Sequence, residues 1–108
     1  MSRFYTSTMQ TEPGMYYILD KNDADPFETP VDFYEDEYKR ADMVCRQYNA
    51  LVDNTVDFLI DLVGESGNPE NVNLDLRADD YIYSKNCSLS SDIRFRLVSA
   101  AIDEYNAL

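Results

Sequence analysis

Between Val31 and Val63 the residues Tyr34, Tyr38, Ala41, Cys45, Tyr48, Val52, Thr55, Leu59 and Leu62 recur at an unbroken 4,3,4,3 spacing. Residues three and four apart return to one side of the chain only in an α-helix, so this spacing predicts one long amphipathic helix. Val44, Leu51 and Phe58 form a second row that widens the stripe to the width of a core-facing surface. Pro30 stands before the stripe and Gly64 after it, the usual punctuation of a helix, which sets the prediction at 31–63. Such a helix would approach about 45 to 50 Å. That is long for a chain of 108 residues, so part of it is expected to project or to pack against a second copy as a homodimer.

The remaining elements are read around that helix. Phe4, Thr6 and Thr8 alternate loosely ahead of Glu12-Pro13-Gly14 and the apolar run Met15–Leu19, which predicts a β-hairpin turning at Pro-Gly. Residues 20–30 carry four acids and two prolines without periodicity and read as an acidic loop. Val72, Leu74 and Leu76 alternate with Asn73, Asp75 and Arg77, and Tyr81-Ile82-Tyr83 follows Asp79-Asp80, which predicts a second hairpin with one buried face. Ser90 or Ser91 is a plausible N-cap for a C-terminal helix over 91–107, with Asp92 in its first turn and Ile93, Leu97, Val98, Ala101, Ile102, Tyr105 and Leu108 behind it. The expected fold is α+β in the order ββαββα, a single domain over 1–108, since this length supports one hydrophobic core.

Charge narrows the class of partner. There are 21 acids against 9 bases and no histidine, a net charge of -12, and the excess lies before Lys85. A polyanion or an anionic membrane would be repelled, so the expected partner is a basic protein surface, with no nucleic acid bound directly. No apolar run reaches the roughly 20 residues that cross a bilayer, and the first residues lack the apolar core of a secretory signal. The expected location is therefore cytoplasmic, with Cys45 and Cys87 reduced.

Three acids stand out by spacing. Asp53, Asp57 and Asp61 form an i, i+4, i+8 row with no base three or four positions from any of them. Like charges so placed cost a few tenths of a kcal/mol per pair in a helix, so the row reads as a negative stripe presented to a partner. Asp42 and Glu35, 11 and 18 residues before Asp53, are expected near the same edge, with Arg46 and Asn49 interrupting the row. A denser cluster holds Asp20, Asp23, Asp25, Glu28, Asp32, Glu35, Asp36 and Glu37 with Lys21 as the one base. Its start resembles a calcium loop, with Asp20 first and Asn22 third, but Ala24, Asp25 and Val31 occupy the fifth, sixth and twelfth positions, where a ligand, a glycine and a bidentate glutamate belong. No metal is therefore expected. Of the nine tyrosines, Tyr34, Tyr38 and Tyr48 fall on the apolar stripe. Tyr5, Tyr16 or Tyr17, and Tyr81 or Tyr83 are expected to present rings to a partner.

A catalytic inventory is missing: no histidine, no glycine-rich phosphate loop, no CxxC and no GxSxG. The expectation is a binding protein without a cofactor, not an enzyme. In size, acidity and lack of motif the chain resembles the phage-encoded DNA mimics that block restriction enzymes or CRISPR effectors, a resemblance of composition that carries no residues over. It implies an inhibitor seated in the nucleic-acid groove of its target, in the host cytoplasm. Two other classes fit the same composition. An immunity or antitoxin protein against a toxic nuclease would bind through a few buried aromatics, and a structural protein would dimerise through the long helix.

Overall fold

The computed structural model describes residues 3–9 and 11–108, with Pro69 described by its backbone alone. Among these residues the order is β1 (Phe4–Met9), β2 (Glu12–Asp20), β3 (Asp32–Glu35), α1 (Tyr38–Ser66), a 3₁₀ turn (Pro69–Asn71), α2 (Leu74–Lys85) and α3 (Ser91–Asn106). The protein is α+β as expected, with three antiparallel strands in the order β1-β2-β3 ahead of the helices. Contacts gather the chain into two units, residues 1–50 and 51–108, and α1 runs through both.

In the first unit β2 is the central strand, pairing Thr6 with Ile18 on one side and Tyr16 with Tyr34 and Tyr17 with Phe33 on the other. Successive side chains point to opposite faces, so Tyr16 and Tyr34 share one face and Tyr17 and Phe33 the other. Tyr16 meets Tyr38 of α1 edge-on at 5.3 Å, and Tyr17 packs against Phe27 at 5.7 Å. Phe4, Ile18, Leu19, Val31, Ala41, Cys45 and Tyr48 are its buried apolar residues. Asn49 of α1 ties the edge strand to the helix: its amide accepts from the Phe4 N–H at 2.8 Å and donates to the Phe4 carbonyl at 3.0 Å. One side chain thus supplies both bonds that a neighbouring strand would have made.

The hairpin forms, but Pro13-Gly14 is not its turn. Met9 pairs with Glu12, which puts Pro13 and Gly14 inside β2, beyond the point where the two strands have begun to pair. Gly14 has a left-handed φ of +87°, and its carbonyl accepts from the Asp36 N–H at 2.7 Å. A Cβ at Gly14 would lie 2.5 Å from Asp36 Oδ1, so glycine is required by a close approach rather than by a turn.

Helix α1 begins at Tyr38, not Val31. Residues 32–35 instead pair with the free side of β2, where Phe33 and Tyr34 are good strand formers, and Asp36 ends the strand at φ +54°. Tyr34 therefore matches the helical spacing without being helical. At the other end Gly64 lies within the helix, and Gly67 stops it. Gly67 adopts φ +73° and donates its N–H to the Val63 carbonyl at 3.0 Å, a left-handed helix end.

The largest correction falls in the second unit. Residues 72–83 form no hairpin: after the 3₁₀ turn they enter α2. Three alternating apolar residues suggested a strand, but Asn73 accepts from the Leu76 N–H at 3.1 Å as an N-cap, and Ala78 and Ile82 are buried one turn apart. Asp75 in the first turn and Lys85 in the last also suit the helix dipole. Helix α3 matches its prediction within a residue, with Ser90 as the cap that accepts from the Ile93 N–H at 3.2 Å. Phe58 of α1 stacks on Tyr81 of α2 at 4.5 Å, α2 packs against α3, and the small residues Ala78, Ala100 and Ala101 are fully buried. Thr55, also buried, satisfies its hydroxyl on the Leu51 carbonyl at 2.6 Å. Among the described residues no helix is long and apolar enough to cross a membrane.

Candidate functional site

The row Asp53, Asp57 and Asp61 lies on the stretch of α1 that belongs to the second unit. Val52, Thr55, Val56 and Leu59 of the same stretch are buried, which turns the three carboxylates outward, and all three are exposed. Four residues of helical rise separate neighbours by about 6 Å along the axis. No ion pair is formed by any of the three among the described residues. The geometry is a row of three exposed carboxylates, inclined to the helix axis, that form no ion pair among the described residues.

The acids of the first unit differ in their surroundings. Asp20 is buried and held by Arg3, whose Nε and Nη2 donate to Oδ1 at 2.7 Å and to Oδ2 at 3.1 Å. It also accepts from the Asn22 N–H at 2.9 Å. Asp32 is a second internal anchor, taking the hydroxyls of Tyr48 at 2.9 Å and Tyr34 at 3.1 Å on one oxygen. Burial foremost, and then the Asp32 hydrogen bond and charge, hold the Tyr48 hydroxyl far above its ordinary range. Tyr34 is raised in the same direction, first by burial and then by the Asp32 charge, while Arg40 stacks over its ring at 5.3 Å. Asp42 is paired with Arg46 at 3.0 Å. Asp23 is half-buried, and Asp25, Glu28, Glu35 and Asp36 are exposed. Two acids expected on the surface are thus part of the fold, and a third is partly neutralised.

The two tyrosines of α2 part company. Tyr81 is half-buried in its stack with Phe58, with Lys85 5.4 Å above the ring. Tyr83 is exposed, with the Arg94 guanidinium 5.2 Å from its centroid. Arg94 in turn donates to Asp79 Oδ1 at 2.7 Å. Beside this trio α2 and α3 frame an open cleft of about 570 Å³, to which Leu76, Phe95 and Val98 contribute apolar walls. Leu76 and Phe95 escaped the sequence reading because their shared surface exists only once residues 74–85 are a helix.

Among the described residues no group of three or more acids, cysteines or histidines is arranged to hold a metal ion. Both cysteines are free thiols, Cys45 buried and Cys87 exposed. No family model, curated protein or solved structure matches the chain.

Proposed function

We propose that the protein is a binding inhibitor, not an enzyme, that occupies the nucleic-acid groove of a basic protein by imitating the charge of a phosphate strand. The observation that carries this reading is the exposed, unpaired row Asp53, Asp57 and Asp61. Its spacing of about 6 Å per step is comparable with the separation of successive phosphates along one strand. A helix that served stability alone would gain from a lysine four residues from each aspartate, and none is there. The net charge of -12 adds long-range attraction toward a cationic groove. A phage-defence nuclease of the restriction or CRISPR type is the target class that this chemistry fits, met in the cytoplasm of the host cell. Glu35, Asp36, Asp25 and Glu28 are further exposed acids available to such a partner, and Asp42 is a weaker one because Arg46 already pairs with it.

The test is capture of partners from host lysate on the immobilised protein, eluted with rising salt. A nucleic-acid-binding enzyme released at moderate salt and displaced by duplex DNA is the expected result. Replacing Asp53, Asp57 and Asp61 together by Asn should weaken that complex by about tenfold or more and flatten its salt dependence. A complex indifferent to both salt and the triple substitution would rule the reading out.

A further inference from the structure

The sheet of the first unit has two faces, and α1 packs against one of them. Tyr38 of α1 meets Tyr16 and Tyr48 reaches Asp32, so the helix lies on the face that Tyr16, Ile18 and Tyr34 share. On the opposite face the register aligns Tyr17 with Ser7 on one side and with Phe33 on the other, and Met15 with Glu35. Phe27 of the loop after β2 closes one side of Tyr17, and Leu19 beyond it is fully buried. The end at Phe33 stays open. Its ring is tilted 47° from that of Tyr17 at 6.3 Å, and the residue is 57% exposed.

Taken residue by residue, the charge of that face has one sign. No strand residue that the register places there, from Tyr5 and Ser7 on β1 to Phe33 and Glu35 on β3, is a lysine or an arginine. Glu35 is exposed two residues along the strand from Phe33, and Glu12, also exposed, accepts the Tyr17 hydroxyl. Lys39, Arg40 and Arg46 belong to α1, which packs on the other face, and there Arg40 pairs with Glu37 and Arg46 with Asp42. Lys21 follows β2 six residues past Met15, the partner of Glu35, which is about 20 Å of strand away.

Other tyrosines of the protein show what such rings accept. Arg40 lies over Tyr34 at 5.3 Å, Lys85 over Tyr81 at 5.4 Å and Arg94 over Tyr83 at 5.2 Å. Among the described residues no cation stands over Tyr17 or Phe33. Open rings beside a carboxylate are complementary to a guanidinium, which stacks on a ring by its flat face and forks onto the carboxylate with two hydrogen bonds. A lysine ammonium has no planar fork to offer.

We propose that the outer sheet face at Tyr17, Phe33 and Glu35 binds an arginine side chain of a protein partner, its guanidinium stacked on the aromatic pair and bonded to the Glu35 carboxylate. The proposal shares with the reading above a basic partner, and rests on that part of it alone. It requires nothing of the Asp53–Asp61 row.

The test is an NMR titration of the isotope-labelled full chain with a capped peptide of alternating arginine and glycine. At about 0.3 M salt screening is shorter than the roughly 10 Å of 0.1 M, which damps the general pull of the net charge. The equivalent lysine peptide of equal charge is the control. The expected result is shifts centred on Tyr17, Phe33 and Glu35, with the arginine peptide bound about threefold to fivefold more tightly. Phe33→Ser and Phe33→Leu should each remove that preference, Phe33→Tyr should keep it, and Glu35→Gln should weaken arginine binding by about threefold. Both positions are exposed, so the spectra of the variants away from the substitution should match the parent. Replacing Asp53, Asp57 and Asp61 together by Asn should leave the preference intact, which separates this result from the fate of phosphate mimicry. Equal binding of the two peptides overturns the proposal, as do shifts centred on the Asp53–Asp61 row. So does a Phe33→Leu chain that keeps the preference, since an apolar contact without a ring would then suffice.

Discussion

The two units of this protein use the same acidic side chains in opposite ways. In residues 3–50 the decisive carboxylates point inward. Asp20 clasps Arg3 with two hydrogen bonds, and Asp32 takes two tyrosine hydroxyls on one oxygen. Among the described residues of 51–108 the buried side chains are apolar apart from Thr55, while Asp53, Asp57 and Asp61 are exposed and form no ion pair. A small three-stranded sheet supplies little apolar area and gains definition from buried polar pairs. The helices of the second unit pack on alanine, leucine, isoleucine and valine, which frees their acids for the surface. Net charge alone therefore says little about which acids are available for binding.

The largest test of this contrast is Asp20→Asn. Removing one partner of a buried ion pair leaves the other charge uncompensated, so the expected loss is about 3 to 5 kcal/mol, read from urea unfolding at neutral pH. Arg3 and Asp20 side chains are 8% and 5% exposed, which places the pair in that regime. A loss below about 1 kcal/mol would mean that the pair behaves like a surface bridge and that the contrast fails.

Tyr48→Phe comes next. It deletes a hydroxyl that donates to a carboxylate, and the expected cost is about 1.5 to 3 kcal/mol at pH 7. Its pH dependence has a definite sign. The folded protein holds the Tyr48 proton more tightly than the unfolded chain does, so this contribution is fully present below pH 10.0, the ordinary tyrosine value. Above that pH the unfolded chain releases its proton while the native state keeps it, and stability falls. Tyr34 acts in the same direction over the same window, and Cys45, raised by burial foremost from 9.0, adds a slope that begins about one unit lower. Urea unfolding at intervals from pH 8 to pH 11 should show a loss that Tyr48→Phe makes shallower. An unchanged slope would assign the alkaline loss to other groups.

These inward acids were illegible in the sequence for a physical reason. Asp20 is 17 residues from Arg3 and Asp32 is 16 from Tyr48, and burial of a carboxylate depends on a partner that only tertiary structure supplies. Periodic features were legible. The stripe from Ala41 to Leu59 is buried as its spacing requires, and the outward direction of Asp53, Asp57 and Asp61 follows from the same phase. Helix α3 was found because Ser90 gives a true cap. The errors came where a short pattern fitted two structures. Leu74, Ala78 and Ile82 keep a helical period that the alternation of Val72, Leu74 and Leu76 concealed, and Phe33-Tyr34 joined a sheet whose open side no local signal announces.

The smallest expected effect is on the row itself. Replacing Asp57 by Asn removes the middle charge of three and so relieves both like-charge pairs at once, each costing a few tenths of a kcal/mol. No buried contact is lost, because Asp57 is exposed and makes no ion pair among the described residues. The expected outcome in urea unfolding is thus a gain of about 0.3 to 1 kcal/mol, shrinking as salt rises. The sign carries the argument. A loss would reveal a stabilising partner for Asp57 and would make the row part of the fold, like Asp20 and Asp32. A gain, with binding weakened in the captured complex, would show a charge kept against the interest of stability, which is what a surface built for a partner requires.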